Sequence, residues 1–84
     1  MTKQIAILGS TGSIGRNALR VIDALGPEYS IIALSAHSNV ELLAEQTRRY
    51  KPRFVAVTNS DYVGQFRGFL GDSDVEFWKV RVVL

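Results

Sequence analysis

Apolar side chains divide the sequence into four runs typical of buried strands and three segments with helical spacing. Strands are predicted where apolar residues are consecutive or alternate, at residues 5–8, 29–36, 54–57 and 75–84. Helices are predicted at residues 13–25, 40–50 and 62–70, where apolar residues recur every three or four positions. In the first helix this stripe comprises Ile14, Ala18, Val21, Ile22 and Leu25, and in the second Val40, Leu43, Ala44 and Thr47.

Turn and capping residues separate these elements. Gly26 and Pro27 end the first helix, since glycine accepts a left-handed conformation and proline cannot continue a helix. Asn39 is placed to cap the second helix, and residues 59–61 offer caps for the third, whose apolar face is Tyr62, Val63, Phe66, Phe69 and Leu70.

The alternation of four strands with three helices predicts an α/β fold with a parallel sheet. We expect helices on both faces and right-handed crossovers that give the strand order 3-2-1-4, which is a partial Rossmann-like, doubly wound sheet. A complete domain of this type needs more than 84 residues. Residues 1–84 are therefore expected to be the N-terminal portion of a longer domain.

Composition excludes several classes of function. The chain is 46% hydrophobic and 21% charged, as soluble globular proteins are. It has no cysteine and a single histidine, His37, which argues against disulfides and zinc sites. A net charge of +2 is too small to indicate nucleic acid or a membrane surface as a partner, and no apolar run is long enough to span a bilayer. We expect a cytoplasmic protein.

A glycine-rich turn between the first strand and the first helix carries the clearest chemical signal. Gly9 would turn the chain out of the strand, Gly12 would let the backbone approach a pyrophosphate, and Gly15 would let the helix pack close to the sheet. The start of the helix then offers free N–H groups to a phosphate, with further donors in the hydroxyls of Ser10, Thr11 and Ser13. The absence of a following lysine argues against an ATP- or GTP-binding P-loop. A turn that serves only tight packing is the alternative.

The residues after the second strand bear on which dinucleotide fits. NAD-binding domains place an acidic residue there, but the first acidic residue after this strand is Glu41, inside the second helix. NADP is therefore favoured over NAD, with His37, Ser38 and Asn39 as donors to the 2′-phosphate. Asn39 as a plain helix cap and His37 as a solvated loop residue are the alternatives.

Several of these segments together resemble the 1-deoxy-D-xylulose 5-phosphate reductoisomerase family. The resemblance lies in residues 7–15 and 33–36, in Asn39-Val40, in Leu43 and Gln46, and in Lys51-Pro52. It covers residues 3–58 and fades beyond Val75-Glu76.

The resemblance implies an NADPH-dependent oxidoreductase and isomerase. Such an enzyme converts its sugar phosphate to 2-C-methyl-D-erythritol 4-phosphate in non-mevalonate isoprenoid biosynthesis, with a divalent magnesium, manganese or cobalt ion, and is a homodimer. The NADPH contacts that the resemblance implies are Thr11, Gly12, Ser13, Ile14, His37, Ser38 and Asn39. The glycine-rich turn adds Gly9 as a further candidate contact.

Catalytic and metal-binding residues of the family have no counterpart in this sequence, so we expect no activity from these 84 residues alone. Asp72 and Asp74 could be a metal pair, but a solvated turn is the simpler interpretation. Two other functions stay open: the cofactor domain of another NADP-dependent Rossmann reductase, such as a semialdehyde dehydrogenase, and a non-catalytic NADP(H)-binding module.

Overall fold

Four parallel strands form one sheet in the computed structural model, which describes residues 3–70 and the backbone of residues 81–83. The elements in chain order are β1 (Lys3–Ile7), α1 (Ser13–Leu25), β2 (Tyr29–Ala36), α2 (Val40–Tyr50), β3 (Phe54–Val57), a 3-10 turn (Ser60–Tyr62), α3 (Val63–Leu70) and β4 (Arg81–Val83). The predicted bounds of α1, β2 and β3 are confirmed. Most of the predicted fourth strand, including residues 75–80, lies outside the described residues.

One face of the sheet is apolar because the register aligns apolar residues of neighbouring strands. Ile7 pairs with Leu34, and Leu34 pairs in turn with Val55. The register between β1 and β2 shifts after Ile5, whose partner is Ile31, while Ala6 pairs with Ala33. This irregularity keeps Ile31 and Leu34 on the same face although they are three residues apart.

All three helices contribute to a single core on that face. Leu19 of α1, Leu43 of α2 and Phe66 of α3 are buried in one cluster with Leu34 and Val55 of the sheet. The predicted α/β fold with a parallel sheet and three helices is confirmed. The prediction of helices on both faces is wrong for the part of the chain described, because α1, α2 and α3 share this core.

The position of the fourth strand differs from the prediction. The strand order is β1-β2-β3-β4 and not 3-2-1-4, since β4 pairs in parallel with β3 through Val55 and Val82. The physical reason lies in α3, which packs beside α2 on the same face of the sheet. Successive right-handed crossovers on one face move the chain one strand further in the same direction, whereas the predicted order requires a helix on the opposite face.

The buried side of α1 also differs from the prediction. Gly15, Leu19 and Ile22 are buried, while Ile14 and Val21 are 85% and 57% exposed. Leu25 is exposed as well, so of the predicted stripe only Ile22 is buried. The helix carries two apolar stripes, and the one containing Gly15 faces the protein because a glycine allows the closer approach.

The other helices largely follow the predictions. The stripe of α2 is buried as expected, and Asn39 Oδ1 accepts a hydrogen bond from the backbone N–H of Leu42 at 3.4 Å. In α3, Phe66 and Leu70 are buried, but Phe69 is 44% exposed. Within the described residues, no helix has the length and apolar character needed to cross a membrane.

Candidate functional site

The carboxyl ends of three strands bring the predicted site segments to one edge of the sheet. The glycine-rich turn follows β1, residues 37–39 follow β2, and Thr58 follows β3. His37 Nδ1 lies 3.0 Å from Thr58 Oγ1, so the ends of β2 and β3 are in direct contact. In open α/β sheets this edge is where ligands bind.

The glycine-rich turn is tied to the end of β2 by hydrogen bonds to a single residue. The Gly9 N–H donates to Ser35 Oγ at 2.8 Å, and the Ser10 N–H donates to the Ser35 carbonyl, also at 2.8 Å. Gly9 has a φ of +70°, which residues with a Cβ rarely adopt. The predicted role of Gly9, turning the chain out of β1, is therefore confirmed.

Gly15 is where α1 touches the turn. A Cβ built on Gly15 would lie 2.7 Å from Ser10 Cα and 2.9 Å from the carbonyl carbon of Gly9, with the Gly9 carbonyl oxygen closer still. These neighbours are backbone atoms, which cannot rotate away. Gly15 permits a close approach of α1, as predicted, but the approach is to the backbone of the turn and not to the sheet. At Gly12 a Cβ would meet only Gly9 O, at 3.4 Å.

The N-terminus of α1 lacks the features that usually satisfy a helix start. Its N-cap is Gly12, no side chain caps it, and its first turn carries no acidic residue. By contrast, α2 is capped by Asn39 and has Glu41 in its first turn. The N–H groups at the start of α1 and the positive end of its dipole therefore remain available to an anion.

The predicted contact residues around this helix start can be reached from solvent. Gly9, Gly12, Ser13 and Ile14 are exposed, and Thr11 is half-buried. A cleft of about 520 Å³ runs along the turn and is lined by Gly9, Gly12, Ser13, Ile14 and Gly15 together with Ala6, Ile7, Leu8 and Ala18.

The second group of predicted contacts, which comprises His37, Ser38 and Asn39, is exposed at the start of α2. The cap interaction occupies Asn39 Oδ1 and leaves the Asn39 Nδ2 group as a donor. The nearest carboxylate in sequence, Glu41, is exposed on the first turn of α2.

Ser10 requires a correction, since its hydroxyl was expected to donate to a phosphate. Ser10 is completely buried, and its Oγ lies 2.7 Å from Gln46 Oε1 and 3.2 Å from the Ser35 carbonyl oxygen. Gln46 Nε2 donates to the Ser10 carbonyl at 2.8 Å. The contact between Gln46 and Ser10 was missed by sequence reasoning, although a glutamine between Leu43 and Thr47 on a buried helix stripe is a signal for such a bond.

A separate polar cluster joins the far ends of α1 and α2. Arg49 forms an exposed ion pair with Asp23 at 3.0 Å, and the Tyr50 hydroxyl donates to the same carboxylate oxygen at 2.9 Å. Burial, and secondarily the hydrogen bond to Asp23, raise the pKa of Tyr50 above its ordinary value of 10.0. This cluster connects two helices and lies apart from the glycine-rich turn.

The described residues do not fit a divalent metal ion. In that part of the chain no three His, Cys, Asp or Glu side chains gather into a group that could hold one. Asp72 and Asp74 lie outside the described residues.

Sequence comparisons identify relatives along nearly the whole chain. The profile of the 1-deoxy-D-xylulose 5-phosphate reductoisomerase family matches residues 5–81, further than the resemblance at residues 3–58. Enzymes of this name are 58% identical over 59 residues in Elusimicrobium minutum, 46% over 74 residues in Chloroherpeton thalassium and 41% over 81 residues in the chloroplastic protein of Oryza sativa. These alignments cover 70%, 88% and 96% of this chain but only 15%, 19% and 16% of the relatives.

Solved structures give the same result for the fold. The Zymomonas mobilis reductoisomerase in complex with NADPH matches with a TM-score of 0.83 and 26% identity, over 99% of this chain and 21% of that protein. A reductoisomerase in complex with magnesium matches with a TM-score of 0.72 and 32% identity, over 79% of this chain and 16% of that protein. The Rossmann-like class is thereby confirmed. With its profile match, its curated relatives and its structural neighbours in agreement, the chain belongs to the 1-deoxy-D-xylulose 5-phosphate reductoisomerase family.

Proposed function

We propose that residues 1–84 are the N-terminal portion of an NADPH-binding domain and that the glycine-rich turn holds the cofactor's pyrophosphate. The observation that carries this proposal is the uncapped N-terminus of α1 behind an exposed turn at the carboxyl edge of the sheet. Anions bind such helix starts through backbone N–H groups and the helix dipole. The complex of the Zymomonas relative with NADPH supports this choice of anion.

Each predicted contact has a role in this proposal. Gly9 shapes the turn. Gly12 has no side chain to project from the outer surface of the turn, so that the pyrophosphate reaches the N–H groups of Ser13 and Ile14. The Thr11 hydroxyl adds a donor at the rim.

The 2′-phosphate would lie against the start of α2, where His37, Ser38 and the Asn39 amide offer donors. All three are exposed, and no acidic residue lies among them. A carboxylate at this place would repel the phosphate, whereas in NAD-binding domains it accepts from the ribose 2′-hydroxyl. Preference for NADPH over NADH follows.

We further propose that the chain serves the reaction of its family, the isomerisation and NADPH-dependent reduction of 1-deoxy-D-xylulose 5-phosphate to 2-C-methyl-D-erythritol 4-phosphate. In this proposal the metal-binding and substrate-binding residues belong to domains outside residues 1–84. The match to a magnesium-bound relative supports a divalent ion in the complete enzyme. A homodimer in the cytoplasm is part of the same proposal.

Calorimetric titration of the 84-residue chain with NADPH and NADH tests the cofactor assignment, with circular dichroism to verify folding. We expect NADPH to bind at least about tenfold more tightly than NADH, a difference of about 1.4 kcal/mol. A folded chain that binds neither nucleotide, or binds both equally, would contradict the proposal.

A pair of glycine variants localises the binding. Gly12→Ala should fold, because its Cβ meets only an ordinary contact at 3.4 Å, yet it should weaken NADPH binding by filling the surface on which the pyrophosphate rests. Gly64→Ala is the matched control, since its Cβ would have no neighbour within 4 Å and it lies in α3. Turnover of the sugar phosphate by the 84-residue chain alone would overturn the assignment of catalysis to other domains.

A further inference from the structure

One buried side chain of α2, that of Gln46, is hydrogen-bonded to the glycine-rich turn. Gln46 is 6% exposed and Ser10 is 0% exposed, and the two residues exchange a pair of hydrogen bonds. Gln46 Oε1 lies 2.7 Å from Ser10 Oγ, and Gln46 Nε2 donates to the Ser10 carbonyl oxygen at 2.8 Å. The Gln46 amide is thus hydrogen-bonded to both the side chain and the backbone of Ser10.

We propose that Gln46 is a positioning residue for the nucleotide site, which it serves by fixing the glycine-rich turn to α2. The inference rests on the proposed NADPH binding. Because α2 also begins with Asn39, the same helix would carry the 2′-phosphate contacts and set the position of the pyrophosphate turn. A change in the α2 position would then move both halves of the site together.

Packing alone does not account for a glutamine at this position. Its neighbours on the buried stripe of α2 include Leu43 and Ala44, so an apolar side chain would suit the core. A buried amide is unfavourable unless its groups find partners, and a fully satisfied polar pair makes the surrounding structure rigid. In the part of the chain described, every buried side-chain nitrogen and oxygen has a partner.

The bond to Gln46 complements the two bonds that tie the turn to β2. Ser35 accepts hydrogen bonds from the N–H groups of Gly9 and Ser10, whereas the Ser10 carbonyl accepts from Gln46. The Ser10 hydroxyl contacts both residues and lies closer to Gln46 Oε1, at 2.7 Å, than to the Ser35 carbonyl oxygen, at 3.2 Å. Without Gln46, the turn keeps its attachment to β2 but loses its attachment to α2. The N–H groups of Ser13 and Ile14 that follow would then be less well ordered before the ligand arrives, which weakens binding.

Three variants of the 84-residue chain test this role. Gln46→Met keeps the length of the side chain and removes both hydrogen bonds. Gln46→Glu keeps the acceptor but loses the donor whenever the carboxyl group is ionised. Thr47→Val is the matched control, because Thr47 is also buried on α2 but its hydroxyl donates to the Leu43 carbonyl within the helix.

Two measurements are made on each variant: the NADPH affinity by calorimetry, and the exchange of backbone amide hydrogens at residues 9–15 without ligand. For Gln46→Met we expect NADPH to bind about tenfold more weakly. A loss of this size corresponds to the net free energy of about one hydrogen bond, which in the parent chain helps to order the turn before NADPH binds. In Gln46→Met the exchange of backbone amide hydrogens should be faster at residues 9–15 and unchanged in β3. Thr47→Val should match the parent chain in both measurements.

Gln46→Glu supplies a readout that a purely structural role would not produce. A protonated carboxyl group regains a donor for the Ser10 carbonyl, and burial favours the protonated form. The affinity of Gln46→Glu relative to the parent chain at the same pH should therefore recover as the pH falls from 8 to about 5.

The inference would be overturned if Gln46→Met bound NADPH as tightly as the parent chain does. It would also be overturned if Thr47→Val lost as much NADPH affinity as Gln46→Met. Faster exchange spread over the whole chain would overturn it as well, since it would indicate general destabilisation. If the parent chain binds no NADPH, the proposed function fails, while exchange at residues 9–15 still decides whether Gln46 orders the turn. If Gln46→Met does not fold, the pH dependence of Gln46→Glu decides, and a flat affinity ratio counts against the inference.

Discussion

Replacing Gly15 with alanine tests the contact between α1 and the glycine-rich turn. The new Cβ would lie 2.7 Å from Ser10 Cα and closer still to the Gly9 carbonyl oxygen, distances that real Cβ atoms essentially never show. The helix and the turn would have to separate by roughly 1 Å, and such overpacking typically destabilises by about 1–3 kcal/mol. Alanine's helix propensity offsets at most about 1 kcal/mol of this.

The expected net result is a loss of about 1–2 kcal/mol in the free energy of unfolding, measured by urea denaturation. In a chain of this size the melting temperature should fall by about 5–10 °C. NADPH affinity should fall as well, because the displaced turn no longer presents its N–H groups to the pyrophosphate. Gly68→Ala is the control: a Cβ there meets nothing within 4 Å, so this variant should be slightly stabilised by about 0.5–1 kcal/mol.

Two results would refute this reasoning. If Gly15→Ala unfolds at the same urea concentration as the parent chain and binds NADPH equally well, the turn does not need the close approach. If Gly68→Ala loses as much stability as Gly15→Ala, the loss reflects substitution of any helical glycine and not the contact with Ser10.

Three further predictions rest on the helix dipole, the buried core and the Tyr50 hydroxyl. Ser13→Asp should stabilise the free chain by about 0.5 kcal/mol through the α1 dipole but weaken NADPH binding by charge repulsion, and calorimetry that shows tighter binding would contradict this. Phe66→Ala should lose about 3–5 kcal/mol because Phe66 is fully buried, whereas Phe69→Ala, at a 44% exposed position, should lose less than half of that in the same urea experiment. The raised pKa of Tyr50 means that the folded chain holds its proton more tightly than the unfolded chain, so its contribution to stability is complete below pH 10 and is lost as the pH rises further. Asp23→Asn removes the carboxylate charge and should lower that pKa, as followed by ultraviolet titration against Tyr50→Phe, and an unchanged titration would show that the Asp23 charge has no effect.

Local patterns in the sequence determine most elements of this fold but not their arrangement. The strand at Phe54–Val57 and the helix at Val40–Tyr50 follow from apolar runs and from the Asn39 cap, which are properties of a few adjacent residues. The position of β4 depends on which face α3 covers, and that is decided by packing between helices distant in sequence. The exposed Ile14 was misassigned for a related reason, since both sides of α1 are apolar and only the approach at Gly15 selects between them.

In the candidate site, too, local features were predictable from the sequence and contacts between distant residues were not. The glycine-rich turn and the helix start behind it were predictable, because Gly9 and Gly15 are required by backbone geometry that sequence spacing encodes. The burial of Ser10 was not predictable from its neighbours, which include the half-buried Thr11 and the exposed Gly12. Its partner Gln46 is 36 residues away along the chain, so only the folded structure brings them together.

The order of the strands also affects how the chain folds. Each strand pairs with the one before it, as Lys3 with Tyr29, Ala33 with Phe54 and Phe54 with Arg81, so every closure spans only about 20–27 residues. Pairing β4 with β1 would span about three times that length and would add about 1 kcal/mol of loop-closure entropy. The contact order is thus lower than the 3-2-1-4 strand order would give, and during synthesis each βαβ unit can close before the next strand has left the ribosome.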